Sequence, residues 1–265
     1  MFTVIGELIN MTRARVRERV WQRDARYIGE VAKKQAQAGA THIDVNAGGD
    51  PSKEVADMEW IVGVVREATE LPLSFDSANP DAIRAGLGLC CRPGSLINSI
   101  TGEVDRVEKI LPLVVEHGTG VVALTMDDEG MPEDLEGRVR NADKLAGILR
   151  EAGVSLDRVF FDPLARPAGT NPGQAPHVFD AIRYIKKRWP EAHIALGMSN
   201  ISFGLPERNH LNKAHLAMLV GAGCDGAILD PCEPGLMLTL RAALAITGAD
   251  EYGLEYLAAI REGWA

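Results

Sequence analysis

Cysteine is scarce in this chain. Only Cys90, Cys91, Cys224 and Cys232 occur among 265 residues, with no C-x-x-C pair. That density excludes a disulfide scaffold and fits a reducing cytoplasm. No apolar run reaches the length of a membrane span, so no membrane insertion is expected. The first residues, Met1-Phe2-Thr3-Val4-Ile5-Gly6-Glu7, carry no basic segment, so no signal peptide is expected. Positive charge is also short. Lys and Arg total 28 against 37 Asp and Glu, leaving a formal charge of −9. An acidic chain lacks the basic footprint of a nucleic-acid binder. Linker-like, low-complexity and repeat segments are missing too. The reading is therefore one domain over residues 1–265, close to the usual size of a single α/β barrel.

Short β-branched runs alternate with longer amphipathic runs from end to end, the pattern of βα units on a parallel sheet. Eight strands are predicted, at 3–6, 42–45, 73–75, 96–98, 120–124, 158–161, 193–196 and 227–229. Helices are predicted at 23–37, 54–68, 81–87, 104–116, 134–151, 175–188, 213–222 and 236–247, with a closing helix after Gly248. In the first of them Ile28, Val31, Ala32 and Gln35 share a face and Gly39 is the stop signal. An open doubly wound sheet would want a glycine-rich phosphate turn after strand one. The sequence there is Gly6-Glu7-Leu8-Ile9-Asn10, with no G-x-G-x-x-G. Eight strand–helix units make the fold class α/β, a (β/α)₈ TIM barrel.

Barrels of this kind build their active site at the carboxyl ends of the strands. Those ends carry Glu7 and Asn10, Asp44 and Asn46, Asp76, Asn98, Thr125 to Asp128, Asp162, Ser199 and Asn200, and Asp230. No lysine or arginine stands among them. Any one Asp or Asn is as readily a helix cap, and Asp50 before Pro51 is expected to be one. The whole ring reads differently. Asp44, Asp76 and Asp162 adjoin apolar strand residues, so their carboxylates start out half-buried and need partners that the nearby sequence does not offer. A ligand rich in N–H donors would supply them. A pterin has an amino group and ring N–H beside a carbonyl, an edge that a carboxylate can meet with two parallel hydrogen bonds.

At these residues the chain resembles the methyltetrahydrofolate:corrinoid methyltransferases, a branch of the pterin-binding barrels that includes dihydropteroate synthase. The matching stretches are Ile5-Gly6-Glu7-Leu8-Ile9-Asn10, Ile43-Asp44-Val45-Asn46, Phe75-Asp76-Ser77-Ala78-Asn79-Pro80 and Leu96-Ile97-Asn98-Ser99. Leu124 to Gly130, Phe161-Asp162-Pro163-Leu164 and Gly197-Met198-Ser199-Asn200-Ile201-Ser202 follow in the same order. The resemblance implies that Asp76, Asn98 and Asp162 hold the pterin ring. It implies that Gly197 and Ser199 line the pocket through their backbone and that Asn200 reaches N5. Glu7, Asn10, Asp44 and Asn46 take supporting roles. It further implies tetrahydrofolate or methyltetrahydrofolate as substrate, transfer of the N5-methyl group to or from the cobalt of a corrinoid, and a homodimer. No Asp-x-His-x-x-Gly motif is present, so the cobalamin is expected on a separate corrinoid protein. Phe203 departs from the pattern, since a polar residue, often Gln, is expected after Asn-Ile-Ser.

Other readings stand beside this one. Dihydropteroate synthase shares the pocket but wants basic residues for pyrophosphate, whereas strand eight ends in Asp230-Pro231-Cys232-Glu233. A non-catalytic folate carrier would present the same pocket. A Schiff-base aldolase needs a lysine at a strand end, and the lysines fall in helical stretches. No bound metal is expected, because the six histidines are scattered and His215 reads as a packing residue. Trp21, Trp60, Trp189 and Trp264 read as packing residues, Cys90-Cys91 as a helix end, and the arginine-rich stretch 13–23 as a solvated loop and helix start that could also neutralise the polyglutamate tail of folate or the corrinoid partner.

Overall fold

In the computed structural model, which describes residues 2–264, the strands close into one parallel barrel in sequence order, β8 pairing with β1. Met1 and Ala265 lie outside the described residues. The strands are β1 Thr3–Asn10, β2 His42–Asn46, β3 Leu73–Asp76, β4 Leu96–Ile100, β5 Gly120–Leu124, β6 Val159–Asp162, β7 His193–Gly197 and β8 Gly226–Leu229. The helices are α1 Ala14–Trp21, α2 Ala25–Gln37, α3 Glu54–Ala68, α4 Pro80–Leu89, α5 Val104–His117, α6 Leu135–Glu151, α7 Gln174–Arg188, α8 Arg208–Ala222, α9 Leu236–Ile246 and α10 Leu254–Arg261. The predicted TIM barrel is the architecture observed.

Strand alternation sorts the side chains. Ile43, Val45, Phe75, Ile97, Val121, Phe161, Ile194 and Leu196 face the helices and form the main core with them. Ile5, Leu96, Val122, Phe160 and Ala195 form a second buried cluster inside the barrel. Burying the four larger of these side chains stabilises by about 1.5–3 kcal/mol each. This inner cluster is an apolar plug. Two residues further along the same inward register stand Glu7, Asn98, Leu124, Asp162 and Gly197, joined by Asp44, Asn46 and Asp76. The plug is thus the floor on which a polar layer rests at the carboxyl end.

Local chemistry sets the helix starts. Asp24 accepts the Tyr27 N–H at 3.0 Å, Asn79 accepts from Asp81 ahead of Pro80, and Asp134 accepts from Gly137 at 2.9 Å. At Gly120 a Cβ would lie 2.6 Å from Leu96 Cδ2 and 2.9 Å from the Arg158 carbonyl, so only glycine lets β5 sit this close to its neighbours.

Several details differ from expectation. β1 runs on to Asn10 through a register irregularity between Gly6 and Ile9. The arginine-rich segment is solvated as expected but is largely helix rather than loop: α1 forms there and buries Val16 and Val20 at i, i+4. Helix α8 starts at Arg208, five residues early, and Arg158 ends a short 3₁₀ turn rather than opening β6. Asp50 caps no helix; it accepts from Ser52, and Lys53 precedes α3. Trp21 is 51% exposed beneath Arg17 and Lys53, so it is not a core residue, whereas Trp189 is buried against Phe161.

Candidate functional site

The polar layer is built by the ends of β1 to β4, β6 and β7. Asp44 is 2% exposed and accepts from Ser74 Oγ at 2.7 Å and from Asn98 Nδ2 at 3.2 Å. Asp76 accepts from Asn46 Nδ2 at 2.9 Å, and Asn46 Oδ1 in turn accepts the Gly48 N–H. Asp162, 6% exposed, accepts the Leu164 N–H at 2.7 Å. Asp76, Asn98 and Asp162 thus end their strands in the same inward-facing layer, with Asp44 bonded to Asn98 and Asn46 to Asp76, while Asp162 is held by backbone alone.

Burial governs the charge of this layer. It pushes the Asp162 carboxyl up to about 6, against only backbone hydrogen bonds and the Arg138 charge pulling it down. Burial also raises the Asp44 carboxyl from its ordinary value, and the Asp76 charge adds to the rise. Asp76 is raised by burial against the Asn46 hydrogen bond and the Arg106 charge. Glu7 is raised by burial although Arg13 stands 3.1 Å away. No cation forms an ion pair with Asp44, Asp76 or Asp162 among the described residues.

Cations are nevertheless close, contrary to the reading of the strand ends. They arrive from the helices. Arg138 of α6 is fully buried; it donates to Pro163 O at 2.8 Å, Asp134 O at 2.8 Å and Gln174 Oε1 at 2.7 Å. Its grip on the Pro163–Leu164 segment fixes a left-handed Leu164, φ 63°, whose N–H serves Asp162. Arg106 of α5 donates to Ser77 O, Ala78 O and Ser99 O at 2.6–2.9 Å, lashing the β3 and β4 loops together. Both arginines spend their donors on carbonyls and leave the carboxylates under-partnered.

After β7 the chain turns through a 3₁₀ segment, Met198–Ser202, which carries Ser199 and an exposed Asn200. A Cβ on Gly197 would lie 2.8 Å from Asn200 Nδ2, so the amide folds back over the bare Cα. The segment is clamped from behind. Arg208 donates to Ser199 O at 2.8 Å and to Ser202 Oγ at 2.9 Å, and Ser202 Oγ donates to Asn212 Oδ1 at 2.8 Å. Asn212 and Asn209 then donate to Glu233, at 3.1 and 2.7 Å. Phe203 closes this turn and is 69% exposed at the rim.

Other strand-end residues are occupied. Asn10 Oδ1 accepts from Thr12, Asp127 pairs with Lys144 at 3.3 Å, and Asp230 accepts the Cys232 N–H. His215 is buried with Nδ1 on Met198 O, a packing role as expected. Among the described residues no three His, Cys, Asp or Glu side chains converge as metal ligands. Sequence reasoning missed Arg106, Arg138, Arg208 and Asn212, and read Glu233 only as a carboxylate after strand eight. One signal was available: Arg138, Asn141, Ala142, Leu145 and Leu149 share the buried stripe of α6.

The sequence model of a family described as "Pterin binding enzyme" matches residues 6–230. A methylcorrinoid:tetrahydrofolate methyltransferase of Eubacterium limosum is 33% identical over 262 residues, 98% of this chain and 96% of that protein. A methionine synthase of Mycobacterium leprae is 34% identical over 243 residues, 85% of this chain but 20% of that longer protein. Among solved structures, a dihydropteroate synthase of Coxiella burnetii in complex with pteroic acid superposes with a TM-score of 0.71 over 95% of this chain and 94% of that one. At 15% identity this likeness speaks for the fold alone.

Proposed function

The chain belongs to the pterin binding enzymes, and from that premise we propose that it is a methyltransferase moving the N5-methyl group between methyltetrahydrofolate and a corrinoid held by a partner protein. The observation that carries the reading is the pair of under-partnered carboxylates Asp76 and Asp162, with Asn98 beside them and an exposed Asn200 at the rim. The near full-length likeness to a methylcorrinoid:tetrahydrofolate methyltransferase supports the reaction.

In this reading Asp162 and Asp76 accept the N–H edge of the pterin, an acceptor role that needs them ionised when ligand is bound. Asn98, braced on Asp44, completes the edge. Gly197 and Ser199 line the pocket through their backbone, and Asn200 meets N5. A tertiary amine is a poor leaving group, so the enzyme must favour charge development at N5 as the N5–CH₃ bond breaks. The bonding pair stays on nitrogen. Asn200 holds no titratable proton, but its amide can hydrogen-bond N5 in either protonation state. Glu7, Asn10, Asp44 and Asn46 support the layer. The corrinoid cobalt supplies the acceptor or donor of the methyl group. An acceptor of this size needs an open approach, and the exposed Asn200 and Phe203 at the rim fit that demand.

Dihydropteroate synthase chemistry is less well served. Arg208, the cation behind the β7 turn, spends its donors on Ser199 and Ser202, and Glu7, Asp230 and Glu233 crowd the same side. That field repels pyrophosphate. We further propose that residues 1–265 act as one barrel domain in a reducing cytoplasm, the four cysteines being free, and as a homodimer. Ile246, Tyr252, Leu254 and Leu257, exposed on and around α9 and α10, supply apolar surface for the latter.

The test is an anaerobic mixture of the protein, methyltetrahydrofolate and free cob(I)alamin followed by visible spectroscopy. Enzyme-dependent loss of the Co(I) band with growth of methylcob(III)alamin is expected. Tight folate binding without turnover, also in the presence of candidate corrinoid proteins, would make the chain a carrier. Failure to bind folate would overturn the pterin reading.

A further inference from the structure

Helix α8 presents three polar side chains to the turn that carries Asn200. Arg208, Asn212 and His215 stand at i, i+4 and i+7, so they share one face of the helix. Arg208 Nη2 donates to Ser199 O at 2.8 Å, and His215 Nδ1 meets Met198 O at 3.0 Å. The next two carbonyls are met from elsewhere, Asn200 O by the Phe203 N–H and Ile201 O by the Ala168 N–H. The backbone is thus held at every residue from Met198 to Ile201. Asn200 itself is exposed, and its amide only lies back over the bare Cα of Gly197. Its place is therefore set by the backbone beneath it.

Behind the turn runs a brace of hydrogen bonds whose direction is fixed at both ends. Arg208 can only donate, and its Nε meets Ser202 Oγ at 2.9 Å. A carboxylate can only accept, and Glu233, after β8, takes the Nδ2 of Asn209 at 2.7 Å and of Asn212 at 3.1 Å. Asn212 must then turn its carbonyl oxygen to Ser202 Oγ, 2.8 Å away, and the one hydroxyl proton must lie between them. The other oxygen in reach of that proton, Ser199 O at 3.0 Å, already has Arg208. Flipping the Asn212 amide would set its oxygen against the Glu233 carboxylate. Ser202 and Asn212 are both buried, so a lost partner is not replaced by water.

We infer that Ser202, Asn212 and Glu233 are positioning residues for the methyl transfer, holding the turn so that Asn200 stands where it meets N5. The inference rests on the role given to Asn200 above. The pterin ring is assigned to Asp76, Asn98 and Asp162, on other strands, so the brace should govern rate and leave affinity alone. It also ties the loop after β8 to the turn after β7 through side chains of α8.

The experiment is single-turnover methyl transfer from methyltetrahydrofolate to free cob(I)alamin under anaerobic conditions, with folate affinity measured by calorimetry. Ser202→Ala and Asn212→Leu each break the brace at a different link, and each is also combined with Asn200→Ala. Alone, each is expected to slow transfer about tenfold, with folate affinity changed less than about twofold. In the Asn200→Ala background the same substitution should change the rate by less than about twofold, because the group it positions is gone. Loss of rate by the same factor in both backgrounds would mark a general structural role and overturn the inference. So would an unchanged rate in both single variants, or a loss of folate affinity in proportion to the rate. Those outcomes leave the slow transfer of Asn200→Ala in place and fall on the brace alone. An Asn200→Ala protein as fast as the native one falls on the role of Asn200 and takes the brace with it.

Discussion

Replacing Asp162 with asparagine should make the protein more stable and useless for folate. Asp162 is buried, and its carboxyl is pushed from 3.8 up to about 6. A group whose folded value lies above its unfolded one favours folding only while protonated. Below about pH 4 both states hold the proton and the effect is absent. Between about pH 4 and 6 the unfolded chain ionises first, and stability falls as pH rises. Above about pH 6 the loss is complete, and at 1.36 kcal/mol per unit it reaches about 3 kcal/mol. Asp162→Asn removes that charge while Oδ1 can still accept the Leu164 N–H, so about 3 kcal/mol is the ceiling of the gain at pH 7.5. For a chain of this size the melting temperature should rise by roughly 5–10 °C. The same change puts an amide where the pterin edge needs a carboxylate. Losing charge-assisted hydrogen bonds of about 1.5–3 kcal/mol each should weaken folate binding about 100-fold or more. The assay is urea denaturation of both proteins from pH 4 to 8, with folate titration in parallel. The stability gap should open between pH 4 and 6 and stay level above. A variant that is less stable than the native protein at pH 7.5, with a gap independent of pH, would refute the reasoning.

Three further outcomes follow from the same geometry. Asn200→Ala should lower turnover about 100-fold with folate affinity changed little, and a drop in affinity with unchanged single-turnover rate per bound folate would remove the role given to Asn200. Gly197→Ala places a Cβ 2.8 Å from Asn200 Nδ2; the amide should rotate away and turnover fall about tenfold with little change in melting temperature, whereas unchanged turnover would mean the folded-back pose does not matter. Arg138→Gln leaves buried carbonyls without donors and should cost about 3 kcal/mol by denaturation. It also removes a charge that lowers Asp162, so folate binding should fail at a higher pH than in the native protein; an unchanged pH profile would show that Arg138 acts on packing alone.

The strands and their polar ends were legible in sequence because both are local. A β-branched run that stops at Asp76 or Asp162 carries its own direction, and alternation tells which residues face inward. The long helices were legible for the same reason. What escaped was either short or distant. Helix α1 hides in an arginine-rich segment because only Val16 and Val20 mark its buried face. Trp21 looks like a core residue by type, yet its ring serves as a platform for two cations. The role of Asn46 toward Asp76 was only partly visible, since it depends on registers 30 residues apart.

The arginines are the harder case, and they explain why the site is poised as it is. Residues 106, 138 and 208 stand on helices, and nothing in a linear reading ties them to β3, β6 or β7. Their targets also differ from what charge counting suggests. Had Arg138 formed a salt bridge with Asp162, the carboxylate would be satisfied and its pKa held low, and a ligand would gain little by replacing one partner with another. Instead Arg138 binds the Pro163 and Leu164 carbonyls, fixes one N–H for Asp162 and acts on the carboxylate only through space. Arg106 does the same for the loops beside Asp76. The scaffold thereby keeps its carboxylates buried, aimed and short of donors. On the proposed reading a pterin edge brings those donors, so part of what burial costs these carboxylates is recovered on binding rather than on folding.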